Sequence, residues 1–300
     1  MVRTVFAVAL FALIASPAVA QRDYPPQFDD AVKEHVYKKT GDVDLKLYVF
    51  EPADHKNSDK RPAVVFFGGG WTNGSPAQFE PQCRYLASRG VVAITADYRV
   101  ASRHGVKGVD CVRDAKSAIR WVRAHAAELG VDPDRIVASG GSAGGHLAAC
   151  TGFVKEFDEA NEDQTVSSRP NALVLYNPVA SFDRSLADAN DPRIIGLQLR
   201  LGVTPEEISP AHHVAEKAPP TLILVGSEDF LLAGVRQLVD KMKAAGNRCE
   251  LDLYEGRSHG FFNQRGKGNA DFLKTTESVD RFLKSLGYLE GEPTVKEFFK

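Results

Sequence analysis

Apolar positions along this chain gather into short, nearly unbroken runs: Leu45 to Phe50, Ala63 to Phe67, Val91 to Ala96, Arg135 to Ser139, Ala172 to Asn177, Thr221 to Val225 and Glu250 to Tyr254. Several of these runs lack polar alternation, as strands covered on both faces do. Between them the spacing is helical, over Ala77 to Ser88, Val109 to Leu129, Ala143 to Phe153, Leu231 to Ala245 and Ala270 to Leu286. Strand and helix alternate from Ala63 onward, so the expected fold class is α/β, a mostly parallel central sheet with helices on both faces. In open sheets of this kind chemistry collects at the carboxyl ends of the strands.

Four candidate segments fall just after predicted strands. Gly68-Gly69-Gly70-Trp71 follows the second, Gly140-Gly141-Ser142-Ala143-Gly144 closes the fourth, Asp229 follows Thr221 to Val225, and His259 follows Glu250 to Tyr254. The second of these puts a serine where a strand turns sharply into a helix, with glycines where a Cβ would collide with the neighbouring strand or helix. A serine hydroxyl is a weak nucleophile at neutral pH. It needs a base to take its proton and a carboxylate to hold that base in the right tautomer.

His259, in a short loop with glycine on both sides at Gly256 and Gly260, is the leading base. His35, His55, His104 and His125 read as surface residues, and His146 as packing beside the elbow helix. His212 and His213, in a loop after Ser209-Pro210, are the rivals. Asp229, in Gly226-Ser227-Glu228-Asp229, is the leading carboxylate. Capping of the helix near Leu231 is its other reading, and one residue can do both; Asp183 is the alternative acid. A tetrahedral intermediate also needs donors aimed at its oxyanion. Gly69 and Gly70 can offer bare N–H groups, and Ala143 supplies the one that follows the nucleophile.

The order Ser142, Asp229, His259 is the order of an α/β-hydrolase. Phe66-Phe67-Gly68-Gly69-Gly70-Trp71, Asp97-Tyr98-Arg99, Asp114-Ala115, Gly140 to His146, Asn177-Pro178, Gly226 to Asp229 and Ser258-His259-Gly260 together resemble the α/β-hydrolase esterases. Within them the chain looks like the secreted acetyl xylan and feruloyl esterase-like branch, near the hormone-sensitive-lipase-like carboxylesterases. The resemblance runs from about Leu45 to Leu286 and implies ester hydrolysis, with Ser142, Asp229 and His259 as the triad. One position departs from it: the family's HGGG(F/W) has histidine where this chain has Phe67, so the loop must be held differently. The sequence also leaves little room for a lid, chiefly Ser181 to Val214, and an open site would suit esters on a bulky carrier.

The remaining features place this chemistry in context. Arg3, the apolar run Val5 to Ile14 and the small-residue site Ala18-Val19-Ala20 read as a secretory signal peptide over residues 1–20, too short to span a bilayer. Residues 21–300 then read as one domain working in a secreted or periplasmic setting, without a membrane span. Arg3 is the leader's only charged residue, so removing it takes the formal charge from -2 to -3, which gives no reason to expect nucleic acid as a partner. The expected partner is a small-molecule or polysaccharide-borne ester. None of the four cysteines shows the close spacing of a metal or redox site, and no cofactor or metal is expected. Cys83 and Cys111, on consecutive predicted helices, are the candidate disulfide; Cys150 and Cys249 read as buried small hydrophobes. A prolyl-oligopeptidase-type peptidase and a binding module on the same fold are the competing readings. The first usually carries a large N-terminal domain, and the second has no need of a full triad.

Overall fold

The computed structural model describes residues 24–186, 189–266 and 269–300; the leader read over residues 1–20 lies outside them. Among these residues eight strands form one sheet: β1 Lys33–Thr40, β2 Val43–Phe50, β3 Arg61–Phe67, β4 Val92–Ala96, β5 Val131–Gly141, β6 Ala172–Tyr176, β7 Thr221–Gly226 and β8 Cys249–Tyr254. Their spatial order is β1-β2-β4-β3-β5-β6-β7-β8. The pairings β1/β2 and β2/β4 are antiparallel, and every other pairing is parallel.

Among the described residues eight α-helices accompany the sheet: α1 Glu80–Ser88, α2 Ala101–His104, α3 Gly108–Ala124, α4 Ala143–Phe153, α5 Pro192–Gln198, α6 Leu232–Ala244, α7 Ala270–Ser285 and α8 Val295–Phe298. Alternate residues of β2 to β8 feed two cores. Ala63, Val65 and Phe67 of β3 face α3, α4 and α6, whereas Val64 and Phe66 face α1, α7 and α8. The sheet is therefore covered on both sides, which is why its parallel strands read as continuous apolar runs.

Three differences from the sequence reading have physical causes. β1 was not predicted, because its sequence KEHVYKKT belongs to an edge strand with one buried residue, Tyr37. It pairs with β2 across the two-residue turn Gly41-Asp42, whose glycine sits at φ 58°. The packed region also runs past Leu286, since Leu289 and Val295 are buried and Phe299 packs edge-on against Phe272. The proposed Cys83–Cys111 disulfide does not form, and both thiols are free. Cys83 lies in the core under α1 and Cys111 in the core under α3, so the sheet stands between them.

Candidate active site

The turn from β5 into α4 is fixed by crowding. A Cβ on Gly140 would fall closer than 3.0 Å to the Gly144 and Phe67 carbonyl oxygens, and one on Gly144 would strike the Phe67 and Gly68 carbonyls. On Gly141 it would meet the Phe262 ring. Only hydrogen side chains let α4 start this close to β3. Ser142, between them, sits at φ 55°, ψ -118°, a conformation that costs a non-glycine residue on the order of 1–3 kcal/mol. Its backbone is tied down by donation from its N–H to the Tyr176 carbonyl at 2.9 Å and by the His146 N–H donating to its own carbonyl at 2.9 Å.

The carbonyl ends of β7 and β8 bring the other two candidates to this serine. His259 Nε2 lies 2.9 Å from Ser142 Oγ, and His259 Nδ1 lies 2.9 Å from Asp229 Oδ2 and 3.1 Å from Oδ1. The Asp229 carboxylate is fully buried while 29% of the His259 side chain is exposed. A buried carboxylate on Nδ1 holds that nitrogen protonated and turns the basic Nε2 toward the hydroxyl. Asp229 also accepts the Leu231 N–H at 3.0 Å, so it serves the start of α6 as well as the imidazole. Phe230 packs on the His259 ring with centroids 4.9 Å apart.

The alternatives lie elsewhere. Asp183 binds Ser185 and Gln237, and His213 binds the Glu206 carbonyl. His146 is wholly buried against Trp71, with Nε2 2.7 Å from the Ile208 carbonyl. Burial pushes its pKa down to about 4, so it is neutral and packs the elbow helix against the glycine loop.

That loop lies beside the nucleophile: a Cβ on Gly69 would stand 3.5 Å from Ser142 Cβ. Phe67, where the resemblance in the sequence implies histidine, is fully buried and packs in the core. Tyr98 holds the loop instead, its hydroxyl donating to the Gly68 carbonyl at 2.5 Å and reaching the Gly70 carbonyl at 3.4 Å. Tyr98 is itself fixed by its neighbours. Arg99 makes a two-pronged pair with the buried Asp114 at 2.8 Å on each side, and Lys38 joins that carboxylate at 2.6 Å. Asp97 accepts the Tyr98 N–H at 3.0 Å and the Tyr24 hydroxyl at 2.6 Å, and burial raises its carboxyl to about 6. The Asp97-Tyr98-Arg99 and Asp114 motifs thus act through the glycine loop.

The three glycine-loop and elbow donors differ in what they do. Gly69 N–H donates to Gln78 Oε1 at 2.5 Å and is engaged. Among the described residues, no hydrogen bond commits the N–H of Gly70 or of Ala143. The structure thus places a side chain on the Gly69 N–H that sequence reasoning did not anticipate, because nothing near that residue in sequence marks Gln78 as its partner. It also assigned no role to Asn177, whose Oδ1 accepts the Gly260 N–H at 3.2 Å and so steadies the turn behind His259. Asn177 adopts φ 35°, which the Asn-Pro pair was the only sequence signal for. Among the described residues no cluster of His, Cys, Asp or Glu could hold a metal ion, and no helix is long and apolar enough to cross a membrane.

A strained serine, a hydrogen-bonded histidine and carboxylate, and uncommitted backbone donors at the carboxyl edge of a β/α sheet define the class, and a family model described as the alpha/beta hydrolase fold matches residues 63–263: the chain belongs to that family. It is 32% identical to the probable carboxylic ester hydrolase LipM of Mycobacterium tuberculosis over 271 residues, covering 81% of this chain and 60% of that protein. The chain spans 56–60% of the length of three of the named relatives it matches. Among solved structures it is similar to the apo form of Thermogutta terrifontis esterase 2, with 53% identity, a TM-score of 0.84, and coverage of 90% of this chain and 100% of that one. The butyrate-bound form of the same esterase matches at 52% identity and a TM-score of 0.83, covering 90% and 99%.

Proposed function

We propose that this protein is a serine carboxylesterase that hydrolyses short-acyl esters through an acyl-enzyme. The single observation that carries the reading is the continuous row Asp229–His259–Ser142, at 2.9 Å for each link, ending on a strained serine beside two unspent N–H groups. Ser142 Oγ attacks the acyl carbon as its proton passes to His259 Nε2, and the carbonyl oxygen becomes an oxyanion held by the N–H groups of Gly70 and Ala143. Collapse of this intermediate breaks the ester bond, and the alcohol leaves with the proton from His259. Water, deprotonated by the same nitrogen, then releases the acid and restores the hydroxyl.

Relatives named as carboxylic ester hydrolases support the ester bond as target, and butyrate bound to T. terrifontis esterase 2 supports a short acyl group. The finer reading is an acetyl group carried on a polysaccharide such as xylan, cleaved outside the cytoplasm by a chain exported through residues 1–20. Its motifs and its leader pattern are the support for that reading.

A panel of p-nitrophenyl acetate, butyrate and longer acyl esters, feruloyl esters, acetylated xylan and aminoacyl-arylamides tests it. Turnover concentrated on acetate and butyrate, lost by about 10⁶-fold in Ser142→Ala, is expected. Full activity in that variant, or preference for the arylamides, overturns the reading. Release of acetate from xylan decides the polysaccharide part, and a mature N-terminus at Gln21 in the exported fraction decides the export part.

A further inference from the structure

Phe67, which stands before the three glycines, can pack but cannot hydrogen-bond, and this raises a physical problem. A run of Gly68-Gly69-Gly70 has little intrinsic preference for any orientation of its peptide planes, so a donor on it is aimed only if something outside the loop fixes those planes. Tyr98 fixes one end of the peptide joining Gly68 to Gly69, by donating to its carbonyl at 2.5 Å. In a trans peptide the C=O and N–H point in opposite directions. The other end of the same plane is the Gly69 N–H, which Gln78 Oε1 accepts at 2.5 Å.

Gln78 does not stand alone. Its Nε2 donates to Asn263 Oδ1 at 3.0 Å, and Asn263 Nδ2 donates to the Gly260 carbonyl at 2.9 Å. The direction of this relay is dictated by its two ends. A backbone N–H at Gly69 can only donate and a backbone carbonyl at Gly260 can only accept, so both side-chain amides are forced into one orientation. The result is a chain of neutral hydrogen bonds from the oxyanion loop to the residue after His259. Because both amides are uncharged, the chain ties the two loops together without placing a charge beside a developing oxyanion.

Resting on the serine-esterase reading of Ser142, we propose that Gln78 and Asn263 are positioning residues that brace the glycine loop, a task Phe67 cannot perform by hydrogen bonding. Together with Tyr98 they pin the Gly68–Gly69 peptide at both ends, which leaves the next N–H, that of Gly70, aimed at the oxyanion, and they hold that loop in register with the base. The Gly69 N–H belongs to the brace and not to the oxyanion hole.

The experiment uses the full chain with p-nitrophenyl acetate, measuring kcat and KM from pH 5 to 9 and the melting temperature for wild type, Gln78→Ala, Gln78→Glu and Asn263→Ala. In Gln78→Ala, kcat is expected to fall by about 10- to 100-fold with KM within a few-fold, the signature of a hole that is mis-aimed when charge develops. Gln78→Glu carries the discriminating readout. As a neutral acid the side chain still accepts from Gly69 and donates to Asn263. As a carboxylate it loses the donor and brings a negative charge to the hole. Its kcat relative to wild type is therefore expected to be about 100-fold lower wherever the carboxyl is ionised and to climb toward one as pH falls toward the carboxyl's own pKa, at an unchanged melting temperature for each pH. Ratios that stay flat with pH in Gln78→Glu, together with unaltered kcat in Gln78→Ala and Asn263→Ala, overturn the brace. A rise in kcat in Gln78→Ala also overturns it, because Gln78 would then be an obstruction of the hole. A wild-type chain that neither turns over aryl esters nor gains a fluorophosphonate adduct at Ser142 overturns the serine-esterase reading and the brace with it, whereas active wild type with unaltered variants overturns the brace alone.

Discussion

The elbow and the glycine loop meet at the same serine but are stabilised in opposite ways. At the elbow, backbone presses on backbone: Gly140 and Gly144 have no space for a Cβ, and Ser142 is held at φ 55° by hydrogen bonds from its own N–H and to its own carbonyl. In the glycine loop, orientation comes from side chains that arrive from the segment after β4, from the turn before α1 and from the segment after His259: Tyr98, Gln78 and Asn263. A nucleophile needs one fixed position through the whole cycle, and close packing supplies it. Donors that stabilise charge must be aimed, and hydrogen bonds to both ends of a peptide plane aim it. Damage to the elbow should therefore appear as loss of fold, and damage to the loop as loss of turnover in a folded protein.

The largest expected effect breaks the elbow. Gly144→Ala drives a methyl group into the Phe67 and Gly68 carbonyls, with no flexible side chain there to give way. It should cost about 4 kcal/mol or more, so that little folded protein is recovered. Recovery of a soluble chain with wild-type melting and activity would remove the packing half of the comparison. The next variant sharpens the other half. Tyr98→Phe leaves the buried Gly68 carbonyl without its donor, and should lower kcat about 10-fold at a modest stability cost of ~1–3 kcal/mol. Since Tyr98 and Gln78 pin one peptide, their combined loss should be clearly less than the product of the single losses, and a multiplicative result in the double-mutant cycle would separate the two residues.

The last effect, spread over several pH units and partly offset in wild type, concerns the joint between the two regions. His146 stays neutral when folded because burial lowers its pKa from 6.5 to about 4. The unfolded chain therefore binds more protons between those values, and this contribution to stability is present above pH 6.5 and lost as pH falls toward 4. The full loss is ~3 kcal/mol. Asp97 acts in the opposite sense: its carboxyl, raised to about 6 by burial, makes the fold less stable as pH rises from about 4 to 6. The two trends oppose each other in wild type, so the difference between His146→Gln and wild type isolates the histidine. Melting temperatures from pH 4 to 7 should fall less steeply on acidification in the variant, and parallel curves would exclude His146 as an acid-sensitive joint.

Legibility in the sequence followed how local each determinant is. The parallel strands were readable because two-sided burial leaves almost no polar position in them, as in Ala63 to Phe67. Ser142, Asp229 and His259 were readable because each sits at the end of such a run, next to glycines that the turn requires. β1 was not, because one face of an edge strand meets water and its residues carry lysines. The Cys83–Cys111 pairing failed for a related reason: adjacency of helices in the chain says nothing about which face of the sheet each one covers.

By itself the sequence determined the alternation of strand and helix, the strained serine turn and the order of the three catalytic candidates, since these depend on periodicity and on where glycine is obligatory. Tertiary structure alone decided which face each helix covers, which backbone N–H groups remain unspent, and what holds the glycine loop. Gln78 and Asn263 are separated by most of the chain, and each is an ordinary polar residue in its own segment. Their hydrogen bond exists only because the parallel sheet brings the ends of β3 and β8 to the same edge, and a contact made by topology leaves no period or motif in the sequence.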